Sequence, residues 1–183
     1  MKLITLNLRH DVDRWPERLP MIVDMLRHEA PDVIALQEVA LDIQQAELIA
    51  AHLNINLRHP YAVFTAPKWG DEPREGIGML SKLPVLAYEH FNLPEGFRIA
   101  QRLRVLMGGL PLNIANVHLH HRPRHEESIR LPQMQALIAW MRERDKGAWV
   151  LAGDFNAQPE SRLYESPLNG CSRLMRLSIN MNR

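Results

Sequence analysis

Apolar and polar positions fall into blocks of two lengths along this chain. Short runs of strand length cover 2–8, 33–36, 61–65, 76–81, 85–91, 102–107, 112–118 and 149–152. Three longer stretches carry apolar residues at helical spacing. In the first, running from Arg14, Leu19, Ile22, Val23, Met25 and Leu26 share one face. Asp13 is its expected cap, Pro16 is tolerated in the first turn, and Pro31 with Asp32 closes it. The second, 41–53, buries Leu41, Ala46, Ile49, Ala50 and Leu53. The third begins near Ser128 and places Pro132 in its first turn, because a proline ring clashes in a helix interior. Its stripe of Met134, Leu137, Ile138 and Met141 reads as core packing. The runs 76–81 and 85–91, on either side of Pro84, read as one strand pair. Those at 102–107 and 112–118 read as a hairpin turned at Gly108 and Gly109. After Pro159 no clear periodicity remains. Helices alternating with strands, then consecutive hairpins, predict an α+β domain with at least two sheets rather than a doubly wound parallel sheet.

Composition narrows this reading. The 183 residues suit one domain spanning 1–183 with a sizeable core. Apolar residues make up 46% and charged residues 23%, as in globular proteins. A net charge of +1 gives no strong pull toward nucleic acid or membrane. With Cys171 as the one cysteine there is no intrachain disulfide framework. The opening MKLITLNLRHD has too short an apolar run for a signal peptide. No stretch approaches the roughly 18 apolar residues of a transmembrane span. A cytoplasmic location is therefore expected. No internal repeat or low-complexity segment interrupts the chain.

The chemistry gathers where apolar runs end. The run at 149–152 stops at Gly153 and is followed by Asp154, Phe155 and Asn156. A carboxylate there suits a hard metal ion or an attacking water, and a carboxamide suits a phosphate oxygen, although Gly-Asp-x-Asn also makes ordinary turns. Asn7, Glu38 and His118 end three other runs. Singly, each has a structural explanation: a turn, a helix cap or lysine pair, a hydrogen-bonded surface histidine. Together, if the strand ends converge, Glu38 supplies an oxygen ligand for Mg²⁺ or Mn²⁺ with Asn7 and water beside it. The ion would polarise a phosphoryl oxygen while His118 and Asn156 hydrogen-bond the developing charge. Arg98, Arg102, Arg104, Arg122 and Arg124 could form a basic rim, and Trp69 and Arg74 lie in a loop able to reach a substrate. Of these, Arg74, Arg102 and Arg122 are the substrate-binding candidates. No cluster of aromatics is arranged in the sequence for stacking bases, and no membrane-inserting hairpin is evident. A competing reading takes His118, His120, His121 and His125 as a zinc centre, but it leaves Glu38 and Asp154 idle.

The motifs LNLR with Asn7, LQE with Glu38, REGIGMLSKLPV at 74–85, NVHLHHR with His118, and GDFNAQP resemble the endonuclease/exonuclease/phosphatase superfamily, the deoxyribonuclease I-like and exonuclease III-like enzymes. They occur in family order and cover nearly the whole chain. The resemblance implies a four-layer α/β/β/α sandwich and metal-dependent hydrolysis of a phosphate ester by in-line attack of water. It assigns Asn7 and Glu38 to the metal, His118 to the scissile phosphate, Asp154 to water and Asn156 to a phosphate contact. Arg130 and Gln133 resemble a structural R-x-x-Q. The substrate could be nucleic acid, a phosphorylated small molecule or a lipid headgroup. One departure stands out. The family's final aspartate and Ser-Asp-His-type motif have no counterpart in the tail CSRLMRLSINMNR. The expectation is a C-terminally incomplete domain that lacks its last strands and has weak activity or none. It would also tend to self-associate through an exposed sheet edge. The alternative is an inactive fragment or binding module of the same fold.

Overall fold

The computed structural model describes residues 1–70, 74–121, 127–144, 147–158 and 160–164, and the backbone of 174–177. Among these residues, nine strands and three α-helices follow in the order β1 (Leu3–Asn7), α1 (Trp15–Glu29), β2 (Val33–Ala40), α2 (Gln45–Leu53), β3 (Ala62–Pro67), β4 (Glu75–Ser81), β5 (Val85–Asn92), β6 (Ile99–Met107), β7 (Leu110–His118), α3 (Arg130–Arg144), β8 (Ala148–Asp154) and β9 (Leu174–Leu177). They form two mixed sheets, ordered β1-β2-β4-β3 and β5-β6-β7-β8-β9. Strands β1 and β2 are parallel, as are β7, β8 and β9, and the other pairs are antiparallel.

Period-2 side-chain alternation builds the layers. Ile34 and Leu36 of β2 pack with Trp15, Val23 and Leu26 of α1 and Ile49 of α2 on the outer face of the first sheet. Val33, on the opposite face, packs with Met79, Leu103, Val105, Leu112, Ile114 and Val150 between the sheets. On the outer face of the second sheet, Ala115, Val117, Trp149 and Leu151 meet Met134, Leu137, Ile138 and Met141 of α3. The architecture is α+β, a four-layer sandwich of deoxyribonuclease I-like type, as expected from the sequence. A buried polar strut joins the sheets. Asn116 of β7 donates to the Leu36 and Gly78 carbonyls, at 3.0 Å each, and accepts from Gln37 Nε2 at 2.7 Å.

Several elements depart from the sequence reading. Strands β4 and β5 do not pair: β4 lies between β2 and β3 in one sheet, whereas β5 pairs with β6 in the other. Their burial explains it. Six of the seven β4 residues are buried, as in a central strand, while none of β5 is fully buried, as in an edge strand. Pro84 thus marks a crossover between sheets. Asp13 does not cap α1. The N-cap position is Arg14, with no side-chain cap, and the Asp13 carboxylate pairs with Arg9 at 2.8 Å. Helix α2 begins at Gln45 rather than Leu41. Strand β9 lies alongside β8, so β8 is not the edge of its sheet.

Candidate active site

The two sheets bring one set of strand ends together. The carboxyl ends of β1, β2, β7 and β8 lie beside the starting ends of β4 and β6, because antiparallel partners run back from that edge. In register, Ala40 meets Glu75, Ala100 meets Val117, and His118 meets Asp154.

Glu38 reaches this edge through a break in the ladder. The β2–β4 register shifts between Leu36 and Val39, and Glu38 takes a left-handed φ of 49°. Gln37, 1% exposed, points inward by the same alternation as Val33, and the extra residue of the bulge returns Val39 to the outer face with Ile34 and Leu36, leaving Glu38 to emerge at the edge. Asn7, which ends β1, donates one amide nitrogen to both Glu38 Oε1 and Asp154 Oδ2, at 3.0 Å each. Its amide oxygen accepts the Arg9 N–H at 2.8 Å. Asn7 therefore ties the carboxylates of the two sheets together through its nitrogen. Asp154 Oδ1 accepts the Asn156 N–H at 2.9 Å, and Asn156 Nδ2 donates to the Leu119 carbonyl at 3.0 Å. Gly153 lets this turn approach β7: its φ is +139°, and a Cβ there would sit 1.9 Å from the Val117 carbonyl oxygen.

His118 is 3% exposed and lies between Glu38 and a cation. Its Nε2 is 3.8 Å from Glu38 Oε1, and its Nδ1 is 3.1 Å from Arg98 Nη1. A guanidinium can only donate, so Nδ1 is the acceptor and the proton of the neutral ring resides on Nε2, facing Glu38. Burial first, then the Arg98 cation, with Lys68, His121 and His120 adding to it, hold this imidazole well below the usual histidine range. His118 is thus a neutral Nε2–H donor at neutral pH. Arg98 is held in turn by its surroundings. Burial lowers its pKa, while Glu75, Glu38 and Asp154 favour its charge.

The depressed His118 pKa makes a stability prediction. An unfolded histidine titrates near about 6.5. Below that pH the unfolded chain takes up a proton that the folded imidazole refuses. The contribution is therefore complete above about pH 6.5 and is lost as pH falls toward the folded value. Urea unfolding in EDTA at about pH 7.5 and about pH 5.5 should show a smaller acid loss for His118→Gln than for the parent chain. Equal losses would refute the neutral-imidazole assignment.

Arg98, which the sequence offers only as one member of a basic rim, lies at the site against His118. It precedes β6, whose starting end must lie beside the finish of its antiparallel partner β7, so the hairpin register places it next to His118. Of the substrate-binding candidates, Arg74 is exposed in the turn before β4, where its carbonyl accepts the Leu41 N–H at 2.7 Å. Its charge adds a smaller pull to that of His10 in lowering the Asp11 carboxyl, which places it at the β1–β2 side of the edge. Arg102 is not at the site. It shares the parity of Ala100, so it points to the α3 side of its sheet, 6% exposed. There it pairs with Glu89, donates to Asn113 Oδ1 at 3.0 Å and 2.7 Å, and covers the Trp149 ring. Arg104 lies further along the same strand toward the hairpin turn. Arg122, Arg124 and His125 fall outside the described residues. Arg130 and Gln133 are structural as read: Gln133 accepts the His120 N–H and donates to the Pro94 and Glu95 carbonyls, and Arg130 donates to the His120 carbonyl.

The donor set fits a hard ion better than zinc. Glu38 and Asp154 are oxygen donors sharing one partner, and an ion such as Mg²⁺ requires only one or two carboxylates. By contrast, Arg98 donates toward the Nδ1 atoms of both His118 and His121, so a cation already occupies the space between those rings. Among the described residues no group of three His, Cys, Asp or Glu side chains is placed to hold a metal. Nor is any helix long and apolar enough to cross a membrane.

The likeness to known proteins extends over most of the chain. Human protein angel homolog 2 is 27% identical over 179 residues, covering 86% of this chain and 32% of that protein. The crystal structure of ANGEL2, a 2′,3′-cyclic phosphatase, in complex with adenosine-2′,3′-vanadate superposes with a TM-score of 0.69 at 25% identity. It covers 83% of this chain and 47% of that one. The human Nocturnin catalytic domain with bound sulfate superposes at 0.73 with 22% identity, covering 92% and 71%, a likeness of fold. The chain thus spans less than half the length of the angel homologue. Residues 4–170 match the model of the Endonuclease/Exonuclease/phosphatase family, and the chain belongs to that family.

Proposed function

We propose that this chain carries the active-site edge of a hydrolase of phosphate esters that depends on Mg²⁺ or Mn²⁺. The observation that carries the reading is the shared Asn7 nitrogen. It draws Glu38 of one sheet and Asp154 of the other to a single point, with a neutral His118 donor beside them. Family membership and the likeness to a 2′,3′-cyclic phosphatase support phosphoester chemistry in particular.

Glu38 would hold the ion, and Asn7 would keep that carboxylate in line with Asp154. When bound, the ion supplies Lewis-acid polarisation of a phosphoryl oxygen. The remaining roles belong to the chain. His118 donates from Nε2 to an oxygen of the scissile phosphate and remains neutral, because Arg98 occupies its Nδ1. Asp154 orients the attacking water and accepts its proton, its carboxylate fixed by Asn7 and the Asn156 N–H. Asn156 has one amide hydrogen committed to Leu119 and a second with which to meet a phosphate oxygen. Arg98 and the nearby Lys68 bring two cations to this edge, both facing the Glu75 carboxylate.

The test is hydrolysis of bis-p-nitrophenyl phosphate with added Mg²⁺, against EDTA, in the parent chain and Glu38→Gln. We expect metal-dependent turnover, and a half-saturating Mg²⁺ concentration raised at least about tenfold in the variant, near the scale on which altered metal shells change affinity. Turnover that survives EDTA, or an unchanged Mg²⁺ titration in Glu38→Gln, would sink the reading.

A further inference from the structure

Two aromatic side chains far apart in sequence meet beside Arg98. Trp69 follows β3 and Phe97 precedes β6. Their ring centroids are 5.1 Å apart at 62°, an edge-to-face pair, yet both rings remain exposed, Trp69 by 37% and Phe97 by 56%. Exposed aromatics of this size pay in hydration what a bound ring would recover.

The backbone is arranged to hold that pair in place. Phe97 has a φ of 55° and the preceding Glu95 a φ of 57°. A bulky residue in the left-handed region is strained by roughly 1–2 kcal/mol and persists only where its surroundings fix it. Here they do. The Leu93 N–H donates to the Arg98 carbonyl at 2.8 Å, the Trp69 indole N–H donates to the same carbonyl at 3.0 Å, and Gln133 grips the Pro94 and Glu95 carbonyls. Gly70, with φ +107°, lies so close to the Phe97 ring that a Cβ would come within 2.6 Å of it. The same loop packs on His120 through Gly96, and the His120 and His121 rings stack at 5.2 Å. Ring contacts therefore join Trp69 to Phe97 and His120 to His121, with Gly96 of the loop packed against His120. Arg98 joins His121 to His118.

We infer that the Trp69–Phe97 pair is a stacking platform for the base of a nucleotide whose phosphate occupies the His118–Asp154 edge. This inference rests on the phosphoester reading above and names its substrate class. A planar π-face is the partner an edge-to-face aromatic pair accepts with little regard to sequence. The Arg98 cation, one hydrogen bond from His118 and backbone-linked to Trp69, suits the phosphate that a nucleotide brings with its ring.

Equilibrium binding of adenosine monophosphate and of ribose 5-phosphate to the full chain, with Mg²⁺, separates base from phosphate. The expected result is adenosine monophosphate bound about 5- to 100-fold more tightly. Trp69→Ala and Phe97→Ala should each erase most of that preference without moving ribose 5-phosphate affinity. Trp69→Phe, which retains a ring, should preserve it. Equal affinity for the two ligands in the parent chain overturns the platform and leaves the phosphate site standing. Binding of neither overturns the phosphoester reading and the platform with it. Ring-dependent binding to vesicles of phosphatidylcholine with phosphatidylinositol phosphate, without a preference for the base, assigns the pair to a lipid surface and overturns the inference.

Discussion

Asp154→Asn should lower Mg²⁺-dependent hydrolysis of bis-p-nitrophenyl phosphate by about 10²–10⁴-fold, the usual cost of removing one positioned acid–base or charge-stabilising group. The substitution preserves shape. One side-chain oxygen remains to accept the Asn156 N–H, so the turn after β8 retains its Asx geometry. What changes is the atom facing Asn7. An amide nitrogen there would oppose the Asn7 nitrogen that now donates to Asp154 Oδ2, and it could no longer accept a proton from water. The stability cost should be only about 1 kcal/mol, the scale of one hydrogen bond at a partly exposed edge, because Phe155 and the parallel β7–β8 register hold the strand end in place. A large rate loss with a nearly unchanged unfolding midpoint is therefore the expected signature. The double variant with Glu38→Gln should be little slower than the worse single one, since the two carboxylates share one donor and serve one cleft. A rate within about threefold of the parent, well short of the effect of a catalytic base, would remove Asp154 from the water step.

The five residues at this edge were legible for a simple reason. Asn7, Glu38, His118, Asp154 and Asn156 each stand at or just past the end of an apolar run, and a polar residue there must face solvent, a turn or a ligand. Their convergence follows from β1, β2, β7 and β8 sharing one direction, which βαβ connectivity makes readable. What remained hidden depends on pairing. Arg98 is the start of a strand rather than its end, and only the β6–β7 register places it on His118. Arg102 reads like Arg98 in the sequence, but its parity sends it beneath α3 to Glu89. Trp69 and Phe97 lie in loops that flank strands of different sheets, so no short window of sequence contains them both. The pairing of β4 with β2 rather than β5 is likewise a matter of burial on two faces. A run such as Ile77 to Leu80 shows that it is apolar, without showing which neighbours make it so.

Asn116→Leu should destabilise the fold by about 3–5 kcal/mol, although a leucine fills nearly the same volume. Asn116 is fully buried on the face of β7 that looks toward the first sheet. Its amide nitrogen serves the Leu36 and Gly78 carbonyls on two different strands, and its oxygen serves Gln37. These carbonyls stand where the β2–β4 register shifts, just after the Leu36–Gly78 pair. Leucine would remove both donations where water is excluded, each costing about 1–3 kcal/mol, against a smaller gain from the added apolar surface. At roughly 2–4 °C per kcal/mol for a chain of this size, the thermal midpoint should fall by about 10 °C. The effect should also reach the site. Gln37, which keeps its bonds to Thr5 and the Ala35 carbonyl, immediately precedes Glu38 on the bulge, and the strut is what fixes that bulge against the second sheet. Mg²⁺ affinity should therefore weaken in Asn116→Leu even at a temperature where the variant is fully folded. Asn116→Asp, which retains the oxygen for Gln37 but loses both donations, should be at least as unstable as the leucine variant at neutral pH. A midpoint lowered by less than about 2 °C, which corresponds to under about 1 kcal/mol, would mean the two carbonyls are satisfied without Asn116. The strut would then have no part in holding Glu38 opposite Asp154.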